Sequence, residues 1–484
     1  MGVKKMKRIF LGLMSLLFLT LAACGAKEIP QNTGPYGGTD GLDLFLSEIQ
    51  TEPTPWTAEE KEEFQSYLRP ESFEHVFTIE EIRELKTKRD SVESLSAKQA
   101  TDDVTLVFRF LAYGYGGYDY FGGDEVFLPI RDEILNKLST METIETIELR
   151  NLLWDRLSPI LIDMHFSINT NLPVSYSYEK DFAQHTYYVP DLYFNDPAGI
   201  DSEYVKHTIG PEGAITYGLA TVCKNPEDLP DKLTIEGKEH SLEWKMAESI
   251  YHSKEEKESV FSETTVAAEQ LPVLRSYAMQ GDPDKLEAFA ATGTTYLKAP
   301  QLVVDIRGNS GGTDQYPQTW IKKYSFITPY SKLMFANKRS NLHYISVEPD
   351  TDSTGDWDIA SIDNEIRWRK DKLLFVLIDN NTASSGETFV RFLTLGNHVI
   401  LVGCNTMGCS TFANNASYYL PNSGIELYFG KSLCFYDTLE NMDGIGIFPD
   451  LWVNPEDSLD AVVRLCKYYG LIENKSDLKD LFVK

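Results

Sequence analysis

The sequence is short of positive charge, and this shortage excludes one large class of function. Its 45 Lys and Arg residues stand against 73 Asp and Glu residues, which gives a formal net charge of −28. Such a surface repels nucleic acids and anionic lipid headgroups. Because no basic cluster offsets the acidic excess, we expect the protein to bind no nucleic acid.

Cysteine is scarce as well, and the few cysteines have no metal-site spacing. The chain has six, of which five follow residue 24: Cys223, Cys404, Cys409, Cys434 and Cys466. No pair of them has the spacing of a CxxC motif or a zinc knuckle. We therefore predict no metal site and interpret the five mainly as small core residues, with one disulfide possible.

Long apolar runs are missing after the first residues. The one that exists, Ile9–Ala23, follows four positive charges and ends in small residues before Cys24. This pattern is typical of a secretory signal, and its end resembles a bacterial lipobox. We expect a lipoprotein signal peptide over 1–23, a lipidated Cys24 and a flexible tether over 24–42 that is rich in Gly and Pro. The alternative is an ordinary membrane anchor, for which the run is short.

The rest of the chain divides by its periodicity into three parts. Helical spacing dominates 43–165, which predicts a helical N-terminal domain, and 166–298 is strand-rich before it becomes helical. From 299 to 484, short apolar runs alternate with helical ones. This alternation predicts an α/β core whose sheet is covered on both faces.

One segment of this core raises a question of chemistry. The apolar run Leu373–Ile378 leads into NNTASSGETF (380–389), a pattern that predicts a strand, a tight turn and a helix. Ser384 lies on the predicted turn. A serine there can cap the helix or act as a nucleophile, and a nucleophile needs a positioned base.

A glycine-rich turn about 70 residues earlier makes the second interpretation specific. It follows a buried strand as Asp305-Ile-Arg-Gly-Asn-Ser-Gly-Gly312, and it has neither the Gly-Lys-Ser/Thr of a P-loop nor the dinucleotide-binding spacing. Three further elements follow it: Ser384-Ser-Gly-Glu387, Gly403-Cys-Asn-Thr-Met-Gly408 and Asp443-Gly-Ile-Gly-Ile-Phe-Pro-Asp450. In this order and spacing they resemble the S41 serine peptidases, the family of the C-terminal processing (tail-specific) proteases and the tricorn protease.

This resemblance implies a fold and a substrate class. The fold is a ClpP/crotonase-like α/β core, and the substrates are extended or poorly folded polypeptides. Many members of the family carry a PDZ domain, but its Gly-Leu-Gly pattern is missing from 166–298. We therefore expect that region to be a strand-rich cap or a degenerate PDZ-like region.

The resemblance also assigns the reacting groups of an acyl transfer. Ser384 is at the nucleophile position, at the start of a helix where N–H groups favour developing negative charge. The oxyanion needs two donors. The backbone N–H groups of Gly312 and Ser385 are the expected pair.

The base is less conventional. One branch of the family has a lysine where this chain has Cys409. The tricorn-like branch instead uses a histidine behind a short Asp-x-His signature, which His165 matches. There the histidine is preceded by a serine and oriented by a glutamate, for which this chain has Met164 and Asp443. We expect His165 to be the general base and Asp443 its orienting group; a packed core histidine and a base at Lys431 are the alternatives.

The sequence therefore predicts a lipid-anchored extracytoplasmic serine endopeptidase without metal or cofactor. It would hydrolyse polypeptides through an acyl-enzyme, and it would touch a membrane only through its anchor. The altered site residues leave a second hypothesis open, a non-catalytic S41-like lipoprotein that binds peptides or envelope proteins. A third, an acyl-CoA enzyme on the same fold, would need a basic patch that this acidic chain lacks.

Overall fold

The computed structural model describes residues 34–473 with several short gaps. The residues outside this description are 1–33, 39, 51–53, 69–76, 173–179, 269, 327–331, 339, 341, 343–356, 364–371, 397 and 474–484. The predicted signal peptide and Cys24 lie outside the described residues. Among the helices of the described ranges, none has the length and apolar character needed to span a bilayer.

Helices and strands alternate along this part of the chain. The helices are α1 (Gly41–Ile49), α2 (Ala58–Ser66), α3 (Ile79–Lys86), α4 (Ala97–Gly114), α5 (Gly123–Leu138), α6 (Thr146–Leu157), α7 (Lys254–Ser259), α8 (Pro283–Thr295), α9 (Gln315–Ser325), α10 (Ser385–Thr394) and α11 (Ser458–Tyr468). The strands are β1 (Ser94–Ser96), β2 (Thr143–Glu145), β3 (Ser167–Asn169), β4 (His185–Tyr188), β5 (Val205–Ile209), β6 (Ile215–Cys223), β7 (Lys232–Ile235), β8 (Lys238–Ser241), β9 (Lys245–Met246), β10 (Phe261–Val266), β11 (Leu271–Ser276), β12 (Gln301–Asp305), β13 (Lys332–Lys338), β14 (Trp357–Asp363), β15 (Leu373–Ile378), β16 (Val399–Gly403), β17 (Phe412–Tyr419), β18 (Glu426–Tyr436) and β19 (Leu451–Trp452).

A six-stranded sheet forms the centre of the molecule, in the order β10-β11-β12-β15-β16-β19. The pairs from β11 to β19 are parallel, and β10 pairs with β11 antiparallel. Residues of α8, α9 and α10 cover one face of this sheet, and residues of α1 and α11 cover the other. Every residue of β15 is buried, as a central strand with two covered faces requires. The predicted α/β core is therefore confirmed, together with a helical N-terminal region.

The first described residues belong to this core rather than to a tether. Tyr36 is fully buried, and its hydroxyl donates to Glu48 at 2.5 Å and lies 2.9 Å from the ring of His207. Helix α1 then adds Leu42 and Phe45 to the apolar layer against the central sheet. We predicted a flexible tether over 24–42, but its last residues are packed in the core. The buried ring of Tyr36 anchors this Gly- and Pro-rich segment.

The remaining N-terminal helices pack on a second sheet. Its strands run in the order β14-β13-β18-β17, and β3 pairs with β18. Apolar side chains of α2 to α6 join those of β13, β17 and β18 in one continuous cluster. The helical region and the last third of the chain therefore share a core, so the part predicted to carry the base is packed against the part that carries the nucleophile.

The strand-rich region holds a four-stranded sheet, β5-β6-β4-β9, and the hairpin β7–β8. The central sheet begins inside this region, because β10 and β11 lie before residue 299, where we placed the start of the core. The sequence of β10, FSETTV, is largely polar and solvent-facing. Strand β10 therefore lacks the buried apolar run from which β12, β15 and β16 could be predicted.

The five described cysteines are free thiols. Cys404, Cys409, Cys434 and Cys466 are buried, and Cys223 is half-buried. The four buried cysteines occupy core positions, as predicted for most of the five, and the disulfide that the sequence left possible is not formed among the described residues.

Candidate active site

Ser384 lies on the turn between β15 and α10 in an unusual backbone conformation. Its φ is 52° and its ψ is −122°, whereas an ordinary helix-capping residue is extended. A non-glycine residue at positive φ costs on the order of 1–3 kcal/mol, and it persists only where the surroundings enforce it. Here the Ala383 amide donates to the carbonyl of Asn309 at 3.0 Å, and the Gly386 amide donates to the carbonyl of Ala383 at 2.8 Å. This backbone conformation is not that of a simple N-cap, and neighbouring hydrogen bonds hold it in place.

The glycine-rich turn approaches Ser384 so closely that side chains would not fit. A Cβ added to Gly311 would lie 2.8 Å from the Cβ of Ser384 and 2.8 Å from the nitrogen of Ser385. Gly312 has a φ of 147°, and a Cβ there would lie 2.2 Å from the carbonyl oxygen of Met279. Gly311 therefore lets the turn lie against the Ser384 backbone, and Gly312 lets it lie against the backbone of Met279.

Two backbone amides at this junction are available to a ligand. The N–H of Ser385 belongs to the first turn of α10, where helical N–H groups have no intrahelical acceptor. Within the described ranges, the amides of Gly312 and Ser385 also meet no other protein acceptor. Both residues line the cavity that contains Ser384. The structure thus places both amides in the cavity of Ser384, and their role as oxyanion donors stays a prediction.

The rest of the Asp305–Gly312 element holds this turn in place. The Arg307 guanidinium donates to both carboxylate oxygens of Asp305, at 2.8 and 2.7 Å. The side chain of Asn309 donates to Ser276, and its oxygen accepts the Gly311 amide at 2.9 Å. These side chains are buried and are hydrogen-bonded within the turn and to Ser276, Arg275 and Pro455, so their role is structural.

Glu387 holds two backbone segments of the site together, the turn at Ser384 and residues 406–409, and its role was not predicted. One carboxylate oxygen accepts from the Thr406 hydroxyl at 2.6 Å and from the Gly408 amide at 3.0 Å. The other accepts from the amides of Cys409 at 2.6 Å and Ser384 at 3.1 Å. Burial raises the pKa of this carboxyl, while the hydrogen bonds lower it. The signal was present in the element Ser384-Ser-Gly-Glu387, but nothing in the sequence shows which amides the carboxylate meets.

We expect Glu387→Gln to lower the free energy of unfolding by about 3 kcal/mol, because an amide NH₂ would face backbone N–H donors and leave them unpaired in a buried site. Urea unfolding measures this change. Glu287→Gln, on the exposed side of α8, is the matched control and should change stability by less than about 0.5 kcal/mol. Equal effects of the two substitutions would contradict the role given to Glu387.

His165 comes from the segment between α6 and β3, and a buried carboxylate fixes its backbone. One oxygen of Asp163 accepts from the amides of His165 at 2.7 Å and Phe166 at 3.1 Å. The other accepts from the hydroxyl of Tyr115 at 2.9 Å. The Asp of the Asp-x-His signature therefore positions the histidine through its main chain.

The imidazole of His165 lies against the thiol of Cys409. The sulfur is 3.4 Å from Nδ1 and 3.3 Å from Nε2. Both residues line one cavity of about 890 Å³ together with Ser384, Ser385 and Gly312. Among the hydrogen bonds of the described residues, none joins the ring of His165 to the hydroxyl of Ser384. The structure thus brings the predicted base and nucleophile into one cavity, with the base in contact with a thiol.

Electrostatics keep the imidazole in its basic form. Burial lowers the pKa of His165, the nearby Lys180 ammonium lowers it further, and the Asp163 carboxylate raises it in part. Burial also raises the pKa of the Cys409 thiol well above its usual value. A neutral imidazole beside a neutral thiol is therefore the favoured pair, and it is the imidazole that can accept a proton.

Lys180 is a second site residue that the sequence did not reveal. Its ammonium donates to the carbonyl oxygens of Asp163 and Phe166, the latter at 2.7 Å. Burial lowers the pKa of this lysine. It lies in no family element and no periodic pattern, so only the folded chain places its charge beside His165.

Asp443 does not have the partners we predicted. Its Oδ2 accepts from the Met164 amide at 2.9 Å, and its Oδ1 accepts from the amides of Ser410 and Thr411 at 3.3 and 3.0 Å. The hydrogen bonds that the described residues make to this carboxylate thus all come from the backbone. In the structure, Asp443 ties the histidine segment to the segment after Cys409 and makes no hydrogen bond to the imidazole.

The reason lies in the reach and the surroundings of this side chain. Asp443 is almost fully buried. Burial, with the nearby charge of Asp163, raises the pKa of Asp443 to about 7. Hydrogen bonds from fixed N–H groups stabilise a buried carboxylate. Three backbone amides provide these bonds to Asp443, and the imidazole of His165 provides none.

Lys431, the alternative base, belongs to the other face of its sheet. On β18, Tyr428, Cys434 and Tyr436 line the cavity. Because side chains of a strand alternate between faces, Lys431 points away from them. Its ammonium instead adds to burial in lowering the pKa of Lys86.

Comparison with known proteins places this geometry in a family. Residues 273–453 match the model of peptidase family S41. No curated protein sequence matches the chain. The span contains the glycine-rich turn, Ser384, Glu387 and Asp443, whereas His165 lies upstream of it.

Solved structures of similar architecture have low sequence identity to this chain. Mature CPAF complexed with lactacystin is 13% identical, with a TM-score of 0.41, over 78% of this chain and 99% of that one. The photosystem II D1 C-terminal processing protease is 15% identical, with a TM-score of 0.39, over 76% and 98%. A lipoprotein from Streptococcus agalactiae is 14% identical, with a TM-score of 0.36, over 75% and 96%. At these TM-scores the similarity to the three solved structures does not assign a function. It is the match over 273–453, together with the site built there, that identifies this part of the chain as a serine peptidase region of family S41.

Proposed function

We propose that the protein is a lipid-anchored, extracytoplasmic endopeptidase that cleaves extended or unfolded polypeptides through an acyl-enzyme on Ser384. The observation that carries the proposal is the shared cavity. It holds the hydroxyl of Ser384, the imidazole of His165 and the free amides of Gly312 and Ser385. These are the four groups that serine acyl transfer requires.

The reaction assigns one role to each group. Ser384 Oγ attacks the peptide carbonyl while His165 takes its proton, and the amides of Gly312 and Ser385 stabilise the oxyanion. The protonated imidazole then gives the proton to the leaving amine, and a water molecule releases the acyl group by the reverse sequence. For the first step the imidazole has to contact the Ser384 hydroxyl, so its ring has to leave the thiol of Cys409.

The shape of the site supports an extended substrate. Ser384 is half-buried inside a cavity of about 890 Å³, within the range of ordinary ligand pockets. One wall is formed by β13, β14, β17 and β18. A rigid folded surface does not enter a cavity of this kind, whereas a single extended strand does.

A non-catalytic peptide-binding lipoprotein is the second candidate, and one observation favours it. The ring of His165 contacts Cys409, which stands where one branch of the family has its lysine, and it makes no hydrogen bond to Ser384. In this candidate, the same cavity holds an extended peptide without cleaving it.

A fluorophosphonate probe and an unfolded protein substrate separate the two candidates. For a peptidase we expect one covalent adduct, located on Ser384 by mass spectrometry, and cleavage of reduced, carboxymethylated protein but not of the same protein when folded. Absence of both adduct and cleavage, in protein whose folding circular dichroism verifies, would favour the binder.

The lipid anchor belongs to the same proposal and has its own test. The positively charged start, the apolar run and the small residues before Cys24 support it. We expect full-length protein expressed in bacteria to incorporate a labelled fatty acid and to sediment with membranes. Cys24→Ala should abolish labelling and release the protein, and retained label in this variant would contradict lipidation of Cys24.

A further inference from the structure

The active-site cavity has one strongly charged side chain. Among its lining residues in the described ranges there is no lysine, arginine or glutamate, and Asp314 is the single aspartate. The titratable His165 is held toward its neutral form. Asp314 is therefore the one carboxylate of this lining that a bound substrate can meet.

Asp314 lies beside the reacting groups. It follows Gly312 by two residues and precedes α9. It lines the same cavity as Ser385 and Thr388, in the first turns of the helix that Ser384 begins, and their hydroxyls partly offset the rise in the pKa of its carboxyl. Although the residue is open to the cavity, the surrounding protein desolvates it enough to raise the pKa of the carboxyl. A charge held in this way lies within reach of a substrate side chain next to the bond that is cut.

The walls around Asp314 suit a long side chain with a positive end. Leu333, Phe335 and Ala360 provide apolar surface, and such surface accommodates the methylene stem of a lysine or arginine. Tyr436 lies close enough to Asp314 that the negative charge, added to burial, raises the pKa of its phenol.

The arginine that contacts Tyr436 is engaged by other groups. The guanidinium of Arg391 stacks on the ring of Tyr436, 4.5 Å from its centre, and pairs with Asp437 at 3.7 Å. Arg391 is not among the residues that line the cavity. Asp314 thus faces the cavity without Arg391 beside it in the lining.

We propose that Asp314 forms a subsite that selects substrates with a lysine or arginine side chain close to the scissile bond and rejects an acidic one. This inference rests on the proposed peptidase function, since the subsite is part of the same cavity. A partly desolvated carboxylate attracts a cation and repels an anion more strongly than one in water. The acidic surface of the whole chain favours the approach of cationic peptides as well.

Matched peptides test the subsite. A single lysine, norleucine or glutamate is moved along an otherwise uncharged peptide, and kcat/KM is measured for wild type, Asp314→Asn and Asp284→Asn. We expect one position at which lysine exceeds norleucine by about tenfold and glutamate is the poorest. Asp314→Asn should remove this ranking, and Asp284→Asn, an exposed aspartate in the first turn of α8, should preserve it. A wild type without charge preference, or an unchanged ranking in Asp314→Asn, would overturn the inference.

Binding to Ser384→Ala separates the failure of this inference from failure of the proposed function. Fluorescence anisotropy of the same peptides with Ser384→Ala, and with Ser384→Ala combined with Asp314→Asn, needs no turnover. A lysine preference that the second substitution removes supports the subsite even if wild type cleaves nothing. Equal affinities for the lysine and glutamate peptides refute it even if wild type is an active peptidase.

Discussion

Replacing Ser384 by alanine is expected to abolish fluorophosphonate labelling and to lower turnover of unfolded substrate by at least about a thousandfold. The hydroxyl is the group that forms the acyl-enzyme, and no neighbouring side chain has its position on the strained turn. Removal of a serine nucleophile from comparable catalytic units costs on the order of 10⁴- to 10⁶-fold, and the oxyanion donors account for the residual rate.

The control for this variant is Ser47→Ala, on the exposed side of α1. It should label and turn over like wild type. A Ser384→Ala protein that still carries the fluorophosphonate would show that another residue is attacked. Because φ at Ser384 is 52°, alanine keeps the same backbone strain, so a loss of activity should not be accompanied by a large loss of stability.

Replacing His165 by alanine is expected to lower turnover about as much as Ser384→Ala does. Members of a nucleophile–base unit act together, so removing either one removes nearly the whole contribution of the unit. The neutral imidazole lines the same cavity as the serine, and its backbone is held by Asp163. Hydrolysis of a chromogenic peptide ester and of unfolded protein measures the loss.

His240→Ala, in the hairpin β7–β8, is the matched control and should keep wild-type turnover. Cys409→Ala tests whether the thiol or the imidazole is needed for activity. In the proposed mechanism the thiol contacts the imidazole but takes no part in the reaction. We expect this variant to retain fluorophosphonate labelling. If His165→Ala keeps its turnover while Cys409→Ala loses it, the thiol and not the imidazole is the group that matters.

The sequence predicted the parts of the site that lie on regular elements. The apolar run of β15 and the helical spacing after it placed Ser384 on a turn, and the structure has that turn between Ile378 and Ser385. The glycine-rich element was expected opposite the serine, and the packing of Gly311 against Ser384 agrees. Parallel strands bring their carboxyl ends to one edge of a sheet, which is why two separate motifs could be predicted to meet.

Side-chain partners across the fold could not be predicted in the same way. The sequence indicated that Asp443 belongs to the site, but not that backbone amides would take both of its oxygens. The position of Lys180 depends on how the strand-rich region lies on the histidine segment, and no local pattern records this. A sequence motif indicates which residues belong to one site. Which of their atoms form hydrogen bonds depends on packing in the folded chain.

The limits of the domains were difficult for a related reason. Tyr36 and α1 lie far in sequence from α11, yet both complete the same face of the central sheet. A polar segment such as β10 gives no strand signal by itself, although it pairs along its whole length with β11. Composition describes only the average character of a segment. The single buried ring of Tyr36 and the edge strand β10 each place the start of a structural unit earlier than composition indicates.

The most direct test of the central claim, that His165 activates Ser384, is the pH dependence of fluorophosphonate labelling. Burial and Lys180 lower the pKa of His165 from its usual 6.5. An imidazole acts as a base only above its pKa, so the labelling rate of wild type should rise through a single titration with a midpoint below 6.5 and then stay constant toward pH 8. His165→Ala should label far more slowly and without that titration. A titration that persists unchanged in His165→Ala would contradict the claim and would assign the base to another group.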